Sequence, residues 1–120
     1  MERNHSVRVG DIFCATWGYD QTNVDYFVVV RLAGRTMVEV QQIAAVVRND
    51  PVSGWIAGTS VPDPDRPFGD LMRRKVNTEG GNPGIRIYSF KYAFPWDGKE
   101  RSWTRTAEWR RIRKTGNRIL

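Results

Sequence analysis

The chain has a single histidine and a single cysteine, so a thiol nucleophile with its base would have to be built from His5 and Cys14. Such a pair needs the imidazole within hydrogen-bond reach of the sulfur. Cys14, however, alternates with Ile12 along an apolar run, the setting of a small buried residue, and His5 sits in a polar amino-terminal segment of the kind that is seldom fixed. Asp20 and Asp25 flank a polar turn and could divide acid and base work between two carboxylates. The simpler reading has Asp20 closing the turn on its own backbone and Asp25 pairing with an arginine. Asp63 and Asp65 lie two apart, as in a calcium loop, without the glycine and distal glutamate that such a loop requires. Gly80-Gly81-Asn82-Pro83-Gly84 lacks the lysine, the hydroxyl residue and the following helix of a phosphate cradle, and no His/Cys cluster has metal-ligand spacing. The residue types therefore predict a non-enzymatic protein, with no catalytic residues, no metal and no cofactor.

Binding chemistry is better represented. Residues 110–120 carry Arg110, Arg111, Arg113, Lys114 and Arg118 and no acid, and removing them lowers the formal charge from +6 to +1. The basicity is thus concentrated in a carboxy-terminal tail, with a smaller cluster at Arg73-Arg74-Lys75. Such a tail suits phosphate contact, which is salt-sensitive and independent of sequence; it also suits a solvated end that keeps the chain soluble. Asp97-Gly98 is a two-residue hairpin signal. A hairpin there sets Phe94 opposite Arg101, Tyr92 opposite Trp103 and Phe90 opposite Arg105, with Lys91 and Thr104 on the other face. Rings and guanidinium groups then share one side. The commoner meaning of that pattern is a core-facing stripe; the other is a stacking platform for unpaired bases. On the second reading Arg101, Trp103 and Arg105 stack, and Arg110, Arg111, Arg113 and Lys114 hold phosphate.

These groups need elements to position them. Val24, Tyr26, Val28, Val30 and Leu32 fall on one side of a period-2 ribbon, with Phe27 and Val29 on the other, which predicts a strand buried on both faces at its middle. A strand before it, from about Val7 to Trp17, opens with Val9-Gly10-Asp11-Ile12. Gly34-Arg35 makes a turn, and Met37 to Ile43 returns with Val38 and Val40 inward. Gln41-Gln42 breaks the alternation and predicts a bulge or an edge. Pro51, Gly54, Gly58, Pro62, Pro64 and Pro67 predict a long loop over residues 48–69, and Leu71 to Val76 a further short strand. The expected fold is mainly β with little helix: a small, partly open antiparallel barrel of five to seven strands, and its Val9-Gly10-Asp11-Ile12 opening resembles the first strand of Src-homology-3-like or similar barrels. Residues 1–109 would form a single β-domain and residues 110–120 a basic tail. The lone cysteine rules out an internal disulfide, and no signal peptide or long apolar segment is present, so a cytoplasmic protein without membrane contact is expected.

Trp17-Gly18-Tyr19-Asp20-Gln21-Thr22-Asn23-Val24-Asp25-Tyr26 with the apolar run after it, and Tyr92-Ala93-Phe94-Pro95-Trp96-Asp97-Gly98-Lys99, resemble two motifs of an uncharacterised family of small proteins encoded by bacteriophages and other mobile elements. The resemblance singles out Trp17, Tyr19, Asp20 and Asn23 as a family-like loop. It departs at Cys14, where a small polar residue is expected, and after Trp109, where the basic end is peculiar to this chain. It implies a source, the cytoplasm of an infected bacterial host, more than an activity. Together with the composition it leaves two partners, nucleic acid first and alternatively a host protein docked through exposed aromatics.

Overall fold

The computed structural model describes residues 6–52, 54–79 and 81–105. Eight strands run through them: β1 (Ile12–Trp17), β2 (Asn23–Leu32), β3 (Met37–Asp50), β4 (Gly54–Pro67), β5 (Met72–Asn77), β6 (Gly84–Tyr88), β7 (Lys91–Pro95) and β8 (Arg101–Thr104). Among the described residues there is no helix, hence none long and apolar enough to cross a membrane.

Every pairing is antiparallel, and six strands close in the order β2-β1-β7-β6-β5-β3 and back to β2. The expected small β-barrel is present, closed where the sequence suggested a partial opening. Alternation sets its inside. Phe13 and Ala15 of β1, Phe27 and Val29 of β2, Val38 and Val40 of β3, Val76 of β5, Ile85 and Ile87 of β6 and Ala93 of β7 are all buried in one cluster, with Val7 at one end. Closure leaves these six strands no free edge, which is the usual way a small all-β domain avoids edge pairing.

The remaining two strands explain why β3 is fourteen residues long. Met37–Val40 pairs with β5, whereas Ile43–Asp50 pairs with β4. The same edge of β3 thus changes neighbour at Gln41-Gln42, where the alternation falters. β4 carries β8 on its far side, through Ala57 to Ser60. A second apolar cluster lies outside the barrel, with Cys14, Tyr26 and Ile43 buried and Ile12, Val28, Ala45 and Trp96 packed against them. The Tyr26 hydroxyl donates to the Ser60 carbonyl (2.9 Å), fastening β2 to β4.

Two expectations are corrected here. The loop at 48–69 is for the most part a strand. From Val61 to Pro67, β4 has β3 as its sole neighbour, so the missing proline N–H groups fall on an edge that has no ladder to lose. Pro64, Asp65 and Arg66 bulge out between the Ala44–Asp63 and Ile43–Pro67 pairs. Asp63 holds that bulge by accepting the Asp65 backbone N–H (3.2 Å) and the Arg66 Nε (2.7 Å). The hairpin at Asp97-Gly98 does not form either. β7 pairs with β1 and β6, and β8 with β4. The turn itself is local and real, since Asp97 Oδ1 accepts the Lys99 N–H (3.0 Å). Pro95 ends β7, and the Trp96 ring packs edge-on against Tyr26, 6.4 Å between centroids, which draws the chain out of any hairpin plane.

Candidate nucleic-acid interface

β6 and β7 form the actual hairpin. Tyr88 pairs with Lys91 across a two-residue turn, Ser89-Phe90, and Arg86 pairs with Tyr92. Since Ile85, Ile87 and Ala93 point inward, Arg86, Tyr92 and Phe94 point out, whereas Tyr88, past a register shift and paired with Lys91, turns to the barrel mouth beside Met72, Arg74 and Lys91. The rings are bare: Tyr88 is 50 % exposed, Phe90 64 %, Tyr92 46 % and Phe94 49 %. The core-facing meaning of the aromatic stripe is therefore wrong for this hairpin, because isoleucine and alanine fill the inside. Phe94 lies over Gly84, where an added Cβ would come 3.0 Å from its ring. Tyr88 and Phe90 stack at 6.1 Å between centroids.

The neighbouring strand adds charge. Val76 of β5 faces inward opposite Ile85, so Lys75, one position on, faces outward beside the β6–β7 rings, and Arg73 is exposed two positions further. Arg74 sits between them, half buried, its Nε donating to the Ile87 carbonyl (3.0 Å) and its guanidinium 5.8 Å from the Tyr88 ring centre. The sequences of β5, β6 and β7 hold Arg73, Arg74, Lys75, Arg86 and Lys91 and no acid. Lys91 is held by Asp25 and Arg73 stands opposite Glu39 of β3; exposed rings edged by the exposed Arg73, Lys75 and Arg86 are the composition that binds unpaired bases and their phosphates.

The residues expected to stack fall elsewhere. Arg101, Trp103 and Arg105 do lie together, on and just after β8. Trp103 is nevertheless 5 % exposed, its Nε1 donates to the Thr59 carbonyl (2.9 Å), and the Arg105 guanidinium covers its ring at 4.1 Å. It anchors β8 to β4 and offers no free face to a base. Arg101 is 3.7 Å from Asp97. These three residues, with the tyrosines and phenylalanines expected opposite them, occupy different parts of the sheet. The tail residues Arg110, Arg111, Arg113 and Lys114, and likewise His5, lie outside the described residues.

The family-like loop links β1 to β2. Gly18 has φ +126° and a Cβ there would collide with the Gln21 carbonyl, so glycine is required. Tyr19 is fully exposed, Asp20 is exposed, and Asn23 accepts from the Gln21 amide (3.1 Å). Trp17 and Asp25 turn inward to the barrel mouth. There Asp25 Oδ2 accepts both the Trp17 indole N–H (2.8 Å) and the Lys91 ammonium (2.7 Å). The expected arginine partner of Asp25 is thus a lysine from β7. Lys91 is 7 % exposed, with its Nζ 4.6 Å from the Trp17 ring centre and 5.6 Å from that of Tyr88. Sequence reasoning set Lys91 on a polar stripe of a different hairpin; no periodicity signals a lysine that points into a barrel. Cys14 is buried, and that burial pushes its thiol above its ordinary value of 9.0. At neutral pH it is a packed thiol, unsuited to nucleophilic attack.

Two cavities adjoin the mouth. The larger, about 790 Å³, runs between β2 and the β4–β8 pair past Asn23, Tyr26, Ser60 and Trp103; the smaller, about 240 Å³, lies under the loop at Phe68 to Asp70. Among the described residues no group of three or more His, Cys, Asp or Glu is placed to hold a metal ion. In comparisons with known proteins, no family model, no curated protein and no solved structure matches the chain.

Proposed function

We propose that the protein is a non-enzymatic module that binds single-stranded nucleic acid across the outer face of β5, β6 and β7. The observation that carries this reading is the pair of exposed outward rings, Tyr92 and Phe94, on strands that carry Arg73, Lys75 and Arg86 and no acid, with Tyr88 and Phe90 exposed at the adjoining barrel mouth. Bases stack on the rings and phosphates meet the cations, while the tail from Arg110 to Lys114 adds further phosphate contacts. The aromatic platform anticipated for Arg101, Trp103 and Arg105 is moved to the β6–β7 hairpin. Titration of a fluorescent single-stranded oligonucleotide tests it. Tyr92→Ala and Phe94→Ala should each weaken binding about tenfold, in line with stacking energies of roughly 1–3 kcal/mol per base. Binding that is unchanged in the double variant would refute the platform. A protein partner is the second reading, favoured by the exposed Val46, Val47, Val52 and Ile56 on the β3–β4 arm; it predicts binding that survives high salt.

A further inference from the structure

We infer that the 240 Å³ cavity at the barrel mouth seats one unpaired nucleobase of keto type, thymine, uracil or guanine, at the end of the strand path over the β6–β7 rings. This rests on the single-strand reading above. The cavity is smaller than the roughly 300–1,000 Å³ of sites that take drug-sized ligands, so it fits a single planar ring. Its walls suit one: Phe27, Phe68 and Tyr88 line it. Tyr88 stacks on Phe90, which reaches Trp17 at 5.6 Å. A row of rings, of which Tyr88 and Phe90 are exposed, therefore stands at the opening.

Three amide or charged side chains line the same cavity, Gln42, Lys91 and the exposed Asp70. Lys91 offers donors only, and Asp25 fixes its position by taking one of them. Gln42 is inward on β3, opposite Phe27, and its side-chain amide makes no hydrogen bond to the described residues. An amide not engaged by the described residues at a cavity wall can accept through oxygen as well as donate. A keto base presents a carbonyl next to a ring N–H: the carbonyl meets the Lys91 ammonium and the N–H meets the Gln42 oxygen. Adenine and cytosine have no ring N–H for the Gln42 oxygen on that edge and set an amino group against the Lys91 ammonium.

The test compares the full-length protein with its Gln42→Ala variant in titrations with dT8, dC8, dA8 and free thymidine monophosphate. Stacking on the outer face alone would favour dA8, since purines stack more strongly. The base pocket reverses that order: dT8 should bind about tenfold tighter than dC8 or dA8, the worth of one good hydrogen bond to a charged group. Gln42→Ala should remove the preference while leaving dA8 binding as it was. Equal binding of all three strands, or a preference that survives Gln42→Ala, overturns the pocket and leaves the strand platform standing. No binding of any strand overturns both. Thymidine monophosphate binding as tightly as dT8 overturns the strand as ligand and makes the pocket a free-nucleotide site.

Discussion

Asp25 and Lys91 form the ion pair with the least solvent around it among the described residues, with side chains 20 % and 9 % exposed. A pair in that setting contributes little net stability, since removing two charges from water costs about what their attraction returns, but breaking it from one side strands a buried charge. The ammonium is the more deeply buried partner. Asp25→Ala should therefore destabilise strongly, by about 3 kcal/mol, the lower end of the range for a half-broken buried pair because Asp25 keeps some water. It also leaves the Trp17 indole N–H without its acceptor. Adding Lys91→Met to that variant removes the stranded charge and keeps most of the side-chain volume among Trp17, Phe27 and Tyr88. Urea unfolding should find the double variant more stable than Asp25→Ala alone. Additive losses would mean that the two groups are coupled too weakly to hold the barrel mouth in place.

Among the elements, β4 depends on a residue without a side chain. Gly58 faces Trp103 across the β4–β8 ladder, and a Cβ there would meet the Arg48 carbonyl on one side and stand 2.6 Å from Trp103 Cζ2 on the other. Both neighbours are fixed, one by the β3–β4 pairing and one by its bond to the Thr59 carbonyl. Gly58→Ala should cost about 1–3 kcal/mol, the usual cost of overpacking, and should release β8 first. Tryptophan fluorescence would then shift to the red before the barrel melts, whereas a stable variant with an unshifted spectrum would show that β8 has room to slide. This glycine also marks the boundary of what the residues reveal before folding. β1, β2, β3 and β5 are legible because apolar and polar positions alternate while one or both faces are buried, as in Tyr26, Val28 and Phe27, Val29. β4 is not, because its prolines read as loop unless it is already known that Val61 to Pro67 lies on an edge. Asp97-Gly98 fails in the opposite way: the turn chemistry is present, but pairing is decided by which strands flank it, and closure of the barrel through β1–β7 takes β7 away from β8. The segregation of Tyr88, Tyr92 and Phe94 from Ile85, Ile87 and Ala93 is plain in the sequence. Which set faces the core depends on the volume inside a six-stranded barrel, where Phe13 and Phe27 already stand and aliphatic residues fill what remains.

For the whole molecule, the proposed function turns on how positive charge is divided between the barrel and the tail. Of nineteen cations, five lie in residues 110–120, and without them the chain is close to neutral. A nearly neutral body can still bind phosphate if its contact face has few free acids: β5, β6 and β7 carry none, and Glu39 of β3, opposite Arg73, is paired with Arg31. The two sources separate in the salt dependence. Each phosphate neutralised on a single strand contributes about 0.7 to the slope of log affinity against log salt. Replacing Arg73, Lys75 and Arg86 with glutamine should thus flatten the slope by about 2, and removing residues 110–120 by up to about 3.5. The rings add affinity that salt does not screen, so at high salt the tail deletion should retain oligonucleotide binding that Tyr92→Ala/Phe94→Ala abolishes. If the deletion removes the whole slope and the triple variant changes nothing, phosphate contact resides in the tail alone, and the β5–β7 face has no part in it.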